Sequence, residues 1–243
     1  MTACLQSGAV SLARKRRKIN MSIVKESVGG QRGSGGERTV SVVVSSSDEV
    51  IIAVASSQDS NTGNLGCDGI TRDGQAFTRL VGYGGNNGSG QPNDIEVFYL
   101  VNPNTGTADA VAGFNATIND CTVTFYVLSG ADADDLFNGY DGDSASGFAP
   151  AMSVTTDVDN CFLLGGLCSE SVITGIGSGQ TQDADYTDQS FENTRISSEA
   201  GGSAGAQAHS YNMNNSAAYA QIMVAINPSV PPPTATGNFF AVL

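Results

Sequence analysis

The densest group of chemically capable side chains is a run of carboxylates, Asp132-Ala-Asp134-Asp135, followed closely by Asn138-Gly-Tyr-Asp141-Gly-Asp143. Calcium takes about six to eight oxygens from carboxylates and carbonyls, and closely spaced Asp, Asn and Gly in one loop supply them. The run lacks the terminal Glu and the spacing of an EF-hand loop. A second acidic group, Asp183-Ala-Asp185-Tyr-Thr-Asp188, could add ligands in space. Two readings stand for Asp132, Asp134, Asp135, Asp141 and Asp143: calcium ligands, or a solvated acidic loop. Paired carboxylates also serve glycosidases as acid and base, but the chain has no Trp to stack on a sugar.

Other groupings are weaker. Gly201-Gly-Ser203-Ala-Gly205 fits the Gly-x-Ser-x-Gly nucleophile elbow, with His209, the single histidine, close behind. That motif needs a strand before the serine, a helix after it, and an acid later in the chain. No acid follows Ser203, and in a chain with 30 glycines such matches arise by chance. His209 reads instead as a strand or loop residue exposed on one face. The five cysteines, Cys4, Cys67, Cys121, Cys161 and Cys168, are odd in number and contain no CxxC pair. If residues 161–168 form a strand, its ends stand about 23 Å apart and cannot bridge. Buried free thiols are expected, and one histidine gives no zinc spacing. No catalytic signature rises above chance, so a non-catalytic protein is expected.

The elements that would carry these residues are strands. Of 243 residues, 40% are hydrophobic and 14% charged, enough to bury a sizeable core. No apolar run approaches the roughly 20 residues needed to span a bilayer as a helix. Strand signals recur from residue 39 to 227: Thr39-Val-Ser-Val-Val-Val-Ser45, Glu49-Val-Ile-Ile-Ala-Val-Ala55, Gln75-Ala-Phe-Thr-Arg-Leu-Val81, Asp94-Ile-Glu-Val-Phe-Tyr-Leu-Val101, Cys121-Thr-Val-Thr-Phe-Tyr-Val-Leu128, Asn160-Cys-Phe-Leu-Leu-Gly-Gly-Leu167 and residues 217–226, an Ala-rich run whose composition fits a helix as well and which the resemblance given below reads as a strand. Weaker candidates lie at 110–116, 151–155, 172–176 and 205–212. With no amphipathic helix and no fixed-period repeat, the expectation is all-β: one antiparallel β-sandwich over residues 39–228, with roughly ten to twelve strands and extended arms at both ends.

Charge divides the chain. Eight of the 11 basic residues lie at or before Arg38, leaving 22 acids against three bases beyond it. A body this acidic repels nucleic acid and anionic membranes. The arm, residues 1–38, holds Arg14-Lys15-Arg16-Arg17-Lys18 and the Gly-rich lead-in 28–36. The basic run reads as a nucleic-acid-binding arm, as a disordered arm or an extension upstream of Met21, or as a leader, although secretory signals carry their charges before the apolar stretch. Residues 229–243 form a Pro-rich, extended spacer delivering Phe239-Phe240-Ala-Val-Leu243. Such an apolar end either folds back on its own domain or docks onto a neighbouring subunit.

Four segments carry a resemblance. Asp68-Gly-Ile-Thr-Arg-Asp-Gly-Gln-Ala-Phe-Thr-Arg-Leu80 resembles a hairpin, and Glu96-Val-Phe-Tyr-Leu-Val-Asn-Pro-Asn-Thr-Gly106 a strand and turn, of a jelly-roll-like β-sandwich module found in phage structural proteins and bacterial surface proteins. Phe98 stands where that module commonly has Trp. Gly177-Ser-Gly-Gln-Thr-Gln182 is similar to its Gly-x-Gly-Gln-Thr loop, and Ala220-Gln-Ile-Met-Val-Ala-Ile-Asn-Pro228 to its closing strand. The matches run in the module's order across roughly residues 40–228, while the acidic region 132–143 departs from it. The resemblance implies a jelly-roll-like virion protein, a capsid decoration or minor capsid component located in the virion. It would work by subunit–subunit adhesion, as a homo-oligomer, with a trimer preferred, on a major capsid or other virion protein. It would have no membrane partner and no required cofactor. The alternative is a secreted or cell-surface carbohydrate-binding module, calcium-dependent if the acidic residues are ligands.

Overall fold

A computed structural model describes residues 22–59, 65–85, 93–115, 118–187 and 193–230. These residues hold seventeen strands and no helix. The first nine are β1 (Val24–Gly33), β2 (Gly36–Val44), β3 (Val50–Gln58), β4 (Cys67–Arg72), β5 (Gln75–Ala76), β6 (Thr78–Gly85), β7 (Asn93–Val101), β8 (Gly106–Phe114) and β9 (Asp120–Ser129). The remaining eight are β10 (Phe137–Gly147), β11 (Ala151–Thr156), β12 (Phe162–Ser169), β13 (Ile173–Ile176), β14 (Thr181–Asp185), β15 (Asn193–Ala200), β16 (Gly205–Met213) and β17 (Ala217–Ile226). The all-β antiparallel class is as expected, but the single sandwich of ten to twelve strands is not: there are four sheets.

The sheets stack as four layers with three apolar cores between them. An outer sheet β2-β8-β4-β5 covers one face of the inner sheet β1-β9-β3-β7-β6. That sheet's other face packs on a second inner sheet, β10-β17-β12-β15-β14, which is covered in turn by β11-β16-β13. Strands buried on both faces must be apolar throughout rather than alternating. This is why β3, β9, β12 and β17 read as near-continuous hydrophobic runs, and every residue of β3 and β12 is buried.

The two halves repeat one topology. Replacing β1, β9, β3, β7, β6 by β10, β17, β12, β15, β14, and β2, β8, β4 by β11, β16, β13, maps one pair of sheets onto the other. Registers map as well. The row Val28, Tyr126, Ile52, Tyr99, Thr78 corresponds to Tyr140, Val224, Leu164, Ser198, Thr181. Three bulges recur at equivalent places: Glu26 and Asn138, Asp68 and Thr174, Leu80 and Asp183. No fixed period betrays this in sequence, because the first half carries the extra strand β5 and a longer route from β3 to β7. There the chain turns through Asp73 and Gly74, both at positive φ (48° and 75°), the backbone of a two-residue hairpin turn. It then leaves the outer sheet at Phe77 to join the inner one as β6.

Residues 28–36, whose Gly-rich composition predicts a flexible lead-in, lie instead in β1, the turn after it and the start of β2. Likewise Asp141 and Asp143 belong to edge strand β10, not to a loop. Both segments are rich in Gly and polar residues because an edge strand has one neighbour and little surface to bury.

Candidate functional site

The junction between the two inner sheets brings the most chemistry together, and its ends differ. In the contacts across it, β6 faces β10 and β17 while β1 faces β14, a two-fold pseudo-symmetric arrangement. One end is apolar: Tyr99 and Phe137 meet edge to face, ring centroids 5.1 Å apart, and Tyr83 lies on Gly142, where a Cβ would overlap its ring. The equivalent end is polar. Lys25 pairs with Asp183 and donates to Ser198 Oγ at 3.2 Å. Tyr126 donates its hydroxyl to Asp183 Oδ2 at 3.1 Å, and burial together with Asp183 pushes that phenol well above its ordinary range. Arg32 pairs with Asp120 and donates to the Tyr186 carbonyl at 2.9 Å. Tyr186 sits over Gly30 as Tyr83 sits over Gly142.

A second cluster lies on β7. Asp94 and Glu96 share one face of the strand. Glu96 accepts from the Cys67 amide at 2.5 Å and from Arg79 Nε at 2.6 Å. Gly66, Gly82 and Gly84 clear space for these groups: a side chain at Gly82 would overlap Arg79, and one at Gly84 would overlap Asp94. Burial first, then the neighbouring Glu96, raises Asp94 to about 7, and Asp94 Oδ1 has no hydrogen-bond partner. Burial also raises Glu96. A carboxyl poised near neutrality can exchange a proton. The signal was legible in Asp94-Ile-Glu96-Val-Phe98, whose alternation sets both acids in phase with buried Phe98.

The calcium candidates are not brought together as one loop. Asp132 closes a turn in the connection between the halves, its Oδ1 accepting the amides of Asp134 and Asp135 at 3.1 and 3.2 Å. Asp141 and Asp143 lie on the exposed side of β10, Asp141 accepting the Gly142 amide. Asp183 and Asp185, proposed to join them, instead hold Lys25 and Arg195. No group of three or more metal-capable side chains occurs among the described residues. The basic run Arg14, Lys15, Arg16, Arg17, Lys18 and the terminal Phe239, Phe240, Leu243 lie outside the described residues, as do Cys4 and Asp188.

Cys67, Cys121, Cys161 and Cys168 are buried free thiols, as expected. Ser203 is exposed in the turn before β16. His209 is on a strand, as one of its two readings had it, but fully buried rather than exposed. A cleft of about 80 Å³ between Ser22, Ile23, Asn160 to Phe162, Ala200 and Gly201 is far smaller than a ligand pocket.

All six cations of the described residues are already engaged. Lys25, Arg32, Arg79 and Arg195 hold acids, while Arg38 and Arg72 donate to backbone carbonyls. Asp109, Asp134, Asp135, Asp141 and Asp157 remain exposed. The outward field is therefore anionic. The chain matches no family model, no curated protein and no solved structure.

Proposed function

We propose that this is a non-catalytic structural protein of a virion, a capsid decoration or minor capsid component that acts by adhesion between subunits. The observation that carries the reading is the doubled strand order. The strand order of each half supports a jelly-roll reading, an architecture used for viral capsid and lectin domains. Two such units stacked through a shared core make a stiff body with short connections, suited to bearing load between neighbours. The cations of the described residues are spent internally, so the surface these residues form favours a basic or neutral protein partner over nucleic acid or anionic lipid. The apolar end at Phe239, Phe240 and Leu243 is the proposed dock onto a neighbouring copy, and the run Arg14 to Lys18 the one segment suited to phosphate.

Mass photometry of the full chain and of a chain ending at Val230, each with calcium and with chelator, tests this. A discrete oligomer that dissociates when the tail is removed supports adhesion through the tail. A monomer under every condition sinks self-assembly. A calcium-dependent mass in either chain would favour the calcium-dependent surface-module alternative.

A further inference from the structure

The matched registers allow the two sandwiches to be compared position by position. In the first, the layer between inner and outer sheets is built from Ala53, Phe77, Phe98, Leu100, Ala110 and Ala112, all in one apolar core. The same positions in the second hold Gly165, Gln180, Ser197, Glu199, His209 and Tyr211, by the pairings of β12 with β15 and of β16 with β13. The aromatic volume that Phe98 of the inner sheet and Phe77, at the crossing between the sheets, supply in the first half is supplied here by His209 and Tyr211 from the outer sheet. Gly165 makes the room: a Cβ there would overlap the imidazole and come within 3.0 Å of the Tyr211 hydroxyl.

Most of this polar layer is bonded. Ser197 and Tyr211 share a hydrogen bond of 2.9 Å, Gln180 Nε2 donates to Ser197 at 2.8 Å, and Gln180 Oε1 accepts the Ser210 amide at 3.0 Å. His209 is the exception. It is fully buried and neither ring nitrogen has a hydrogen-bond partner. The groups around it are Gly165 from β12, Met152 opposite it on β11, Tyr211 from its own strand, Gln180 from the β13–β14 loop, and Glu199 from β15. Glu199 supplies the charge, its Oε2 lying 3.8 Å from His209 Nε2. The loop 177–180 passes directly over that carboxylate, since a Cβ at Gly179 would sit 2.6 Å from Glu199 Oε1.

The first sandwich closes without any of these polar groups, so the fold does not require them. We propose that the layer is a proton-operated catch: uptake of one proton by His209 draws the ring onto Glu199 and releases the loop 177–180, while the first sandwich stays closed. Burial favours the neutral ring, lowering it from 6.5 to about 4. The closed state therefore holds above the ordinary histidine range and is lost as pH falls from about 6.5 through about 4. An imidazolium left without an acceptor is not tolerated in such a site. Glu199, at the mouth, is the group able to take its proton bond, and the loop covering Glu199 must move for that to happen.

The test uses the full chain, where a single histidine gives one assignable imidazole signal. The expected result is titration near pH 4, with amide exchange at 177–180 and in β16 rising about tenfold beyond the intrinsic rate while β8 is unchanged. Gly165→Ala with His209→Ala, which installs the Ala53–Ala110 pair of the first half, should abolish the response. Glu199→Gln should move the titration to lower pH, and it keeps the question decidable if the double variant does not fold. A histidine titrating at its ordinary value with the loop unmoved would overturn the proposal. So would a loop that opens at the same pH in the Gly165→Ala/His209→Ala variant.

Discussion

A methyl group added at Gly30 or at Gly142 strikes the same pseudo-symmetric contact from its two sides, yet the repairs should differ. At Gly142 the new Cβ overlaps ring carbons of Tyr83 and comes within 2.7 Å of the Gln221 carbonyl. At Gly30 it overlaps the hydroxyl oxygen of Tyr186 and comes within 2.7 Å of the Val123 carbonyl. Overpacking of this kind costs about 1–3 kcal/mol, so each Gly→Ala change should cost about 2 kcal/mol. Tyr186→Phe alone loses the 3.1 Å hydrogen bond with Thr124, worth about 1 kcal/mol. In Gly30→Ala/Tyr186→Phe the obstructing oxygen is gone, and the pair should cost about 2 rather than 3 kcal/mol. Tyr83→Phe leaves the ring carbons in place, so Gly142→Ala/Tyr83→Phe should be additive within about 0.5 kcal/mol. Urea unfolding of the two double-mutant cycles reads both couplings. Equal couplings at the two sites, or additivity at Gly30, would refute the assignment of ring to one glycine and hydroxyl to the other.

Three further outcomes are expected. Arg72, fully buried, donates to the carbonyls of Val42, Asn104 and Gly106 at 3.1, 2.8 and 2.6 Å; Arg72→Met should cost about 3 kcal/mol by stranding them, and a loss below about 0.5 kcal/mol would show that it does not anchor the β7–β8 turn. Lys25→Met should cost about 3 kcal/mol, because the Asp183 side chain is only 3% exposed and would lose its cation. Lys25→Phe with Asp183→Leu installs the residues of the equivalent positions, Phe137 and Leu80, and should keep or raise stability; a double variant as weak as the single one contradicts the equivalence of the two ends. Asp94 is held near 7 against an ordinary 3.8, so its ionisation opposes folding: stability falls as pH rises from about 3.8 through about 7. Asp94→Asn should remove as much as about 4 kcal/mol of that slope, and an unchanged pH profile of the urea midpoint would refute it.

The sequence was most legible where burial is one-sided or complete. β17 spans the expected 217–226, β7, β9 and β12 lie within two residues of their expected bounds and β3 within three, because short apolar runs bounded by turn residues mark buried strands. β10, β14 and β15 were not legible: Phe137-Asn-Gly-Tyr-Asp-Gly-Asp and Thr181-Gln-Asp-Ala-Asp carry turn and metal-ligand residue types, and only long-range pairing makes them strands. The acids of β14 were read as ligands because charge says nothing of partners 150 or more residues away, such as Lys25 for Asp183 (|i−j| = 158). His209 was read as exposed since a lone histidine in a Gly- and Ala-rich segment gives no burial signal; its burial follows from Gly165 across the sandwich, a pairing that only the fold defines.

Doubling explains a feature of composition that one sandwich would not. Val50-Ile-Ile-Ala-Val-Ala55 has no polar residue on either face, and an isolated sandwich would leave half of it in water. The halves therefore depend on each other. At their centre a Cβ on Gly166 would meet the side chains of Ile95 at 2.7 Å, Ile196 at 3.0 Å and Val54 at 3.5 Å, so Ile95 and Val54 of the facing sheet pack into the space that a side chain at 166 would take. The connection between them is not what holds them: it runs past exposed Asp134 and Asp135 and is pinned by Asn227, whose carbonyl accepts the Asp132 amide at 2.9 Å. A protease site inserted between Asp134 and Asp135 and cut after folding should leave the two pieces eluting together, as a heterodimer joined by the central core. Pieces that separate and stay folded would mean that the junction buries too little to count as a core, and that the uniform hydrophobicity of β3, β9, β12 and β17 has some other cause.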